Sequence, residues 1–284
     1  MILVANADDA GADLARNRGI LRSAREGIVR SASVLVGLEG AADFVAQWRH
    51  VEGVGIGLHL NLTEGAPLRR GLRTIVGADG RFLAKRDLWA RARAGALDPA
   101  EISVEIQAQW AALESLQVRP THLDGHNHVH LFPQVALAVA GAVPPGIWIR
   151  CPRDLAASAQ EGPSGMLPAD PYADPQVCAR TLGALAARAL DLGWSRFRSA
   201  DRFVGLSLPR GYCARDIQAI LEPLAQDSSL TVEFMTHPGE RCDGSLPYSA
   251  SPDREREARA LADPDLLQFI RARGIRLASF GDLS

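Results

Sequence analysis

Short apolar runs alternate with longer segments of helical periodicity along most of the chain. Such alternation is typical of βα units, in which helices pack back onto a mainly parallel sheet. The predicted strands are Ile2–Asn6, Ser33–Val36, Val54–Leu60, Thr121–Asp124, Trp148–Cys151, Phe197–Phe203, Thr231–Met235 and Ile275–Ser279. The predicted helices are Asp13–Glu26, Ala41–Arg49, Pro99–Leu116, Pro133–Val143, Pro175–Leu192, Ala214–Ala225 and Pro264–Arg273.

Seven or eight such units favour an α/β fold of the TIM-like kind, a distorted or incompletely closed (β/α) barrel, over an open sheet. Two long stretches interrupt the pattern, Thr63–Arg86 with its four glycines and Pro152–Pro175, and loops of this length commonly cover or line a binding site. No repeat or linker divides the chain. We therefore expect one domain over residues 1–284.

The composition is that of an ordinary globular enzyme, with 47% hydrophobic and 23% charged residues. A formal net charge of -2 gives no electrostatic reason to expect binding to nucleic acid or to an anionic membrane. The arginine-rich stretches Arg69-Arg70 and Arg254–Arg259 are short or broken by acidic residues, which is typical of a solvated face. No apolar run reaches membrane-spanning length.

The cysteines lie far apart and form no Cys-x-x-Cys pair, which argues against a zinc ribbon and against a disulfide framework. They are Cys151, Cys178, Cys213 and Cys242. The N-terminus lacks the pattern of a signal peptide. Together these features predict free thiols in a reducing compartment and a cytoplasmic protein.

Candidate chemistry is concentrated in one histidine-rich segment, since four of the seven histidines lie between His122 and His130. Imidazole is the commonest nitrogen ligand of divalent metals and a proton carrier near neutral pH. Gly125 and Pro120 disfavour a helix here, and in an extended segment His126, His128 and His130 would share one face. All three cannot bind one ion, so we expect one or two ligands and outer contacts from the rest; a polar surface loop is the alternative.

Other polar residues fall at or just beyond the ends of predicted strands, namely Asp8, Asp9, His59, Arg150 and His237. In a βα barrel the carboxyl ends of the strands face one common mouth, where active sites are built. These residues are therefore expected to converge with the histidine-rich segment into a single site.

Each of these residues also has a structural interpretation. Asp9 could cap the first helix instead of binding a metal. His59, taken alone, is more often a satisfied core residue, and His237 could cap backbone groups in its turn. Arg150 could anchor a substrate or pair with Asp201-Arg202 at the rim.

The motifs taken together resemble those of the YdjC-like carbohydrate deacetylases, a family that includes chitooligosaccharide deacetylases and a branch associated with hopanoid biosynthesis. The residues that carry the resemblance are Asn6–Asp9, Gly57–Gly65, Thr121–Pro133 and His237–Gly239. Ala10 departs from the pattern, because the family usually has phenylalanine there. This difference changes pocket packing and removes no catalytic group.

The resemblance implies a distorted (β/α) barrel that removes an acetyl group from an N-acetylated sugar. It assigns one divalent ion to Asp9, His59 and His126, the general base to Asp8 and the general acid to His237. Nitrogen-rich ligands favour zinc, whereas the family points to magnesium, so both stay open. The residues expected to contact the substrate or support the metal ligands are Asp124, His128, His130, Arg150 and Asn61.

Three other readings compete with this one. An amidohydrolase would carry His-x-His after the first strand, where this chain has Asp8-Asp9. A sugar isomerase would bring more carboxylates and a lysine to the mouth. A non-catalytic metal or sugar binder would need neither Asp8 nor His237. The substrate, an N-acetylglucosamine-containing oligosaccharide or glycolipid, is left open, and a homodimer is the default expectation.

Overall fold

Parallel strands alternate with helices in the computed structural model, which describes residues 1–156, 167–242 and 250–283. The strands are β1 (Ile2–Ala10), β2 (Val29–Val34), β3 (Gly55–Leu60), β4 (His122–Gly125), β5 (Trp148–Ile149), β6 (Arg202–Val204), β7 (Thr231–Thr236) and β8 (Arg276–Leu277). The helices are α1 (Leu14–Glu26), α2 (Ala41–Trp48), α3 (Lys85–Arg93), α4 (Pro99–Ser115), α5 (Pro133–Ala142), α6 (Pro175–Asp191), α7 (Ala214–Leu221), α8 (Asp253–Leu261) and α9 (Pro264–Ala272).

The strands form a curled sheet in the order β5-β4-β3-β2-β1-β7-β6, in which neighbours pair in parallel. β8 pairs with the start of β1 at Ile2 and Leu3. The two ends of the order approach each other through a parallel bridge between Trp148 and Arg198. Within the described ranges this bridge, rather than a full ladder, joins β5 to the segment before β6. The prediction of a distorted, incompletely closed barrel in one α/β domain is therefore confirmed.

The core is a single cluster of buried apolar side chains that extends from Met1 to Ile275. Leu3, Leu58 and Phe234, on three different strands, are completely buried. Strands with helices packed on their outer side bury both faces, and they therefore read as apolar runs in the sequence.

Helix starts follow local chemistry that the sequence displays. Proline occupies the first turn of α4, α5, α6 and α9, where its missing N–H is not needed. Four helices are capped by an aspartate whose side chain accepts backbone N–H groups of the first turn; these aspartates are Asp13, Asp98, Asp174 and Asp263. The starts predicted at Pro99, Pro133, Pro175 and Pro264 are confirmed.

Two helices and part of one strand were not predicted. α3 and α8 are rich in arginine and bury few apolar residues, so they show no clear hydrophobic period. β2 begins at Val29, four residues before the predicted start. The earlier residues did not read as a strand because Ser31 and Ser33 are polar, although both are fully buried. The Ser31 hydroxyl accepts the N–H of Phe280, which satisfies it inside the core.

Strand and loop boundaries also differ from the prediction. β1 continues to Ala10 and includes both aspartates, whereas β5, β6 and β8 are shorter than expected. The stretch Thr63–Arg86 is irregular until α3 begins at Lys85. The middle of the predicted loop Pro152–Pro175, residues 157–166, lies outside the described residues. The four cysteines are free.

No helix within residues 1–156, 167–242 and 250–283 combines the length and the apolarity needed to cross a membrane.

Candidate metal and catalytic site

The end of β1 sends two neighbouring carboxylates in different directions. Asp9 has a φ of 65°, in the left-handed region that aspartate tolerates better than most residues. Its carboxylate faces His59 and His126, whereas that of Asp8 faces Arg150. The capping role considered for Asp9 belongs to Asp13, whose Oδ1 accepts the N–H of Arg16 at 2.7 Å.

Asp9, His59 and His126 form a compact set of possible metal ligands. Asp9 Oδ1 lies 2.8 Å from His126 Nδ1 and 3.3 Å from His59 Nε2. One ligand atom from each residue lies within 4.8 Å of the others, and all three side chains are buried. One carboxylate and two imidazoles are a donor set that suits a divalent ion with open positions for water or substrate.

The electrostatics of this set favour positive charge. Although burial favours its neutral acid, His126 and His59 lower the pKa of Asp9 well below the usual range. Burial opposes the imidazolium of His59, but Asp124, Asp9 and Asp8 raise its pKa to about 10. The surrounding buried carboxylates therefore stabilise positive charge here, either as protons on the imidazole nitrogens or as a cation bound by the Asp9 oxygen and these nitrogens.

Asp124 fixes the orientation of His59. Its Oδ1 accepts a hydrogen bond from His59 Nδ1 at 2.7 Å, which leaves Nε2 facing Asp9. Although burial favours the neutral acid, Arg150 and His59 lower the pKa of Asp124, so this acceptor stays ionised. A carboxylate behind a ligating histidine is the usual way to fix its tautomer and ring plane.

Arg150 is a buried guanidinium that holds three carboxylates. It donates to Asp8 twice, from Nη1 to Oδ2 at 2.6 Å and from Nη2 to Oδ1 at 2.7 Å. Nη2 also lies 2.8 Å from Asp124 Oδ2, and Nε donates to Glu233 Oε1 at 2.6 Å. Only 1% of the Arg150 side chain is exposed, and it binds these carboxylates inside the protein.

Among the residues that the structure describes, Arg150 does not pair with Asp201 or Arg202 at the rim. Asp201 Oδ2 instead accepts the N–H of Thr231 at 2.8 Å, and Arg202 Nη1 donates to the carbonyl of Asp201. Both residues are exposed and lie apart from the buried cluster.

His237 approaches Asp8 from β7. Its Nε2 lies 3.9 Å from Asp8 Oδ2, and 26% of its side chain is exposed. Burial and the charge of Arg254 lower the pKa of His237 to about 3, against the opposing effect of Asp8 and Asp9. The resting imidazole is therefore neutral.

The histidine-rich segment does not present three histidines on one face, so that prediction is wrong. Residues His126–Leu131 form a 3₁₀ segment broken at Asn127 and His128, whose φ values are 54° and 57°. Two consecutive left-handed residues rotate the chain, and only His126 reaches Asp9.

The two remaining histidines pack behind the site. His130 stacks on Trp194, and its Nε2 lies 3.1 Å from the carbonyl oxygen of Arg150. His128 meets Phe203 edge to face. Burial, together with Arg150, lowers the pKa of His128 to about 3, so its ring is neutral.

Asn61 builds the loop that follows β3. Its Oδ1 accepts the N–H groups of Thr63 and Glu64 at 3.0 and 2.9 Å, and its Nδ2 donates to the Glu64 carbonyl. This turn brings Glu64 Oε1 to 3.7 Å from His126 Nε2. Asn61 is itself buried, so it shapes the wall of the site.

Several residues that contact the site were not predicted as site residues from the sequence. Asn6 donates to Asp8 Oδ1 at 2.8 Å, and Ser33 donates to Asp124 Oδ2 at 2.7 Å. A functional contact of Glu233 could have been predicted from the sequence. It is a lone acid inside the apolar run of β7, and a buried carboxylate needs a charged partner. Glu257, on the unpredicted α8, accepts the His237 N–H at 2.8 Å.

Several known proteins are similar to this chain in sequence or fold. A family model described as YdjC-like protein matches residues 2–272. A carbohydrate deacetylase of Homo sapiens is 33% identical over 100% of this chain and 91% of its own length. A chitooligosaccharide deacetylase of Serratia marcescens is 31% identical over 99% of both chains. A solved structure from Enterococcus faecalis, named for a proposed cleavage of cellobiose phosphate, has a TM-score of 0.73 at 22% identity, covering 99% of this chain and 98% of its own.

Proposed function

The chain belongs to the YdjC-like protein family, and we propose that it is a metal-dependent hydrolase that removes the acetyl group from an N-acetylated sugar. The products are acetate and the free amine of an N-acetylglucosamine-containing oligosaccharide or glycolipid. We assign this activity to one deacetylase domain over residues 1–284. Relatives named as carbohydrate and chitooligosaccharide deacetylases, which align along nearly the whole chain, support the assignment.

The observation that carries the proposal is the placement of Asp8 and His237 beside the ligand set. Asp9, His59 and His126 offer the donors for one divalent ion, magnesium or zinc. The two further groups that amide hydrolysis requires, a base and an acid, lie next to them and 3.9 Å from each other. A non-catalytic binder would have no use for this pair.

The residues present fit a divalent ion, because three buried donors converge and carboxylates surround them. An ion held by Asp9, His59 and His126 supplies positive charge that polarises an amide carbonyl and favours loss of a proton from water. Asp124 holds His59 in the orientation that this role needs.

We assign the role of general base to Asp8. Arg150 and Asn6 fix its two oxygens, so the carboxylate cannot rotate away from the ligand set. In the proposed reaction it accepts a proton from the attacking water, whose oxygen forms the new bond to the acetyl carbon.

His237 is assigned as the group that protonates the departing amine. Because its resting imidazole is neutral, it must first receive a proton, and Asp8 at 3.9 Å is its nearest acidic partner. We propose that the proton taken by Asp8 passes to His237 through one bridging water, since 3.9 Å is too long for a direct hydrogen bond, and then to the amine as the C–N bond breaks. An amide nitrogen leaves readily only when it is protonated.

The test is acetate release by purified protein that has been stripped of metal and reloaded with magnesium or zinc. The panel contains N-acetylglucosamine oligosaccharides and glycolipids, with their fully deacetylated forms as blanks. Metal-dependent release from one member supports the proposal and identifies the substrate. If the protein binds metal and releases no acetate from any member, a different hydrolase or a binding function replaces it.

A further inference from the structure

The turn that carries His237 is held by its main chain from two sides. The His237 N–H donates to Glu257 Oε2 at 2.8 Å. Its carbonyl accepts from Arg16 Nη1 at 3.1 Å and from Arg254 Nη1 at 3.5 Å. Both main-chain polar groups of His237 are therefore bound by charged side chains from α1 and α8.

On one side the turn packs directly against the backbone of α1. A Cβ atom added to Gly19 would lie 2.3 Å from the Cα of Gly239, so only glycine permits this approach. The N–H of Glu240 also donates to the Ala15 carbonyl at 3.0 Å. α1 thus supports one side of the turn through direct backbone contacts.

On the other side the contacts come from α8. The Gly239 N–H donates to the carbonyl of Arg254 at 3.1 Å, and Arg254 Nη1 lies 3.5 Å from Glu257 Oε1. Glu257 is buried, although it is a carboxylate on an otherwise polar helix. A buried acid on such a helix requires a partner, and here one partner is the backbone of His237.

The His237 ring is placed by these main-chain contacts. The nearest acidic oxygen described for the ring, Asp8 Oδ2 at 3.9 Å, is beyond hydrogen-bonding distance. The direction of the imidazole therefore follows the direction of the turn. Displacements of about 1 Å in a reacting group can cost roughly 10²-fold in rate.

We propose that Glu257 is a positioning residue, which acts on the reaction by holding His237 in reach of Asp8 and the scissile amide. This inference rests on the proposed function, since it assumes that His237 moves a proton during deacetylation. Glu257 itself lies behind the turn, and its described hydrogen bond and ion pair are with the His237 N–H and Arg254 and not with Asp8 or the proposed metal ligands.

The test is a double-mutant cycle of Glu257→Ala and His237→Ala, read as kcat and KM for acetate release. We expect Glu257→Ala to lower kcat roughly 10- to 100-fold with KM and bound metal nearly unchanged. In the His237→Ala background the same change should alter kcat less than about twofold, because the residue it positions is gone. Glu257→Gln keeps an oxygen acceptor for the His237 N–H and should recover most of kcat.

Glu222→Gln is the matched control, because Glu222 pairs with Arg273 at 3.0 Å and makes no described contact with residues 236–241. It should behave as the wild type. If Glu257→Ala does not fold, Glu257→Asp takes its place, since the shorter side chain withdraws the acceptor from the turn. Equal losses of kcat in both backgrounds would overturn the inference and leave the deacetylase assignment intact.

A second readout does not depend on activity. Amide hydrogen exchange at His237 should accelerate at least about tenfold in Glu257→Ala, because the hydrogen bond that protects the amide is lost. Unchanged exchange would refute the positioning role whatever the enzyme assay shows. Absence of acetate release by the wild type would refute the proposed function alone.

Discussion

The guanidinium of Arg150 holds the carboxylate of Asp8 through two parallel hydrogen bonds, at 2.6 and 2.7 Å. Such bidentate pairs fix the plane of a carboxylate as well as its charge. The same guanidinium also meets Asp124, which holds His59. The buried guanidinium of Arg150, which directly follows β5, thus connects the proposed base Asp8 to the proposed metal ligand His59.

Replacing Arg150 should destabilise the fold. Arg150→Met would leave Asp8, Asp124 and Glu233 as buried carboxylates without their common partner, which costs about 3–5 kcal/mol for loss of one side of a buried ion pair. The free energy of unfolding in urea, followed by circular dichroism, measures this. Arg202→Met, at an exposed position, should stay within about 0.5 kcal/mol of the wild type. Equal stability of the two variants would show that the cluster does not need its cation.

Asp8→Asn should separate metal binding from catalysis. The amide keeps the shape of the side chain but cannot accept a proton from water. We expect bound metal to stay at the wild-type level, and acetate release to fall at least about 10²-fold. Metal content by elemental analysis and acetate release by enzymatic assay give the two values. Turnover close to the wild-type rate would remove Asp8 from the mechanism.

The histidines of the His-rich segment should differ in their effect on metal binding. His126→Ala removes a proposed ligand and should weaken zinc binding at least about 100-fold, as measured by titration calorimetry. His130→Phe keeps a ring against Trp194 and should bind zinc nearly as the wild type does. His50→Ala, at an exposed position, is the control. Equal losses for His126 and His130 would contradict the break in the backbone at Asn127 and His128.

Glu101 should make the stability of the protein depend on pH in the acid range. Burial favours its neutral acid, but the N–H groups of Thr74 and Arg73 lower its pKa from 4.5 to about 2. A lowered pKa stabilises the folded state above the unfolded pKa, and this stabilisation is lost as the pH falls from about 5 to about 2.

The stability difference between wild type and Glu101→Gln should therefore shrink over that range. Urea unfolding at a series of pH values measures the difference. Glu114→Gln, on the exposed side of the same helix, provides the comparison. A difference that is constant from pH 5 to pH 2 would exclude the proposed contribution of the carboxylate.

Much of the fold could be predicted because its signals are local. Proline and aspartate mark the starts of α4, α6 and α9 through the missing N–H of one and the capping oxygen of the other. Apolar runs mark strands such as β3 and β7, because helices cover the outer face of the barrel. α3 and α8 escaped prediction because they are rich in arginine and bury few apolar residues, so no clear hydrophobic period marks them.

The sequence by itself determined which residue types lie at the ends of the strands, and thus that Asp8, Asp9, His59, His126 and His237 belong to one mouth. It could not show how each side chain is directed. The left-handed conformations of Asp9, Asn127 and His128 send adjacent side chains to different partners. Asp9 meets His126 and Asn127 donates to Thr63, and both partners are distant in sequence. From the sequence, Arg150 could be interpreted as a substrate anchor. Only the tertiary structure brings Asp8, Asp124 and Glu233 from three other strands to Arg150, so that it becomes their buried ion-pair partner. Pairing of charges across a barrel depends on distances that no local pattern encodes.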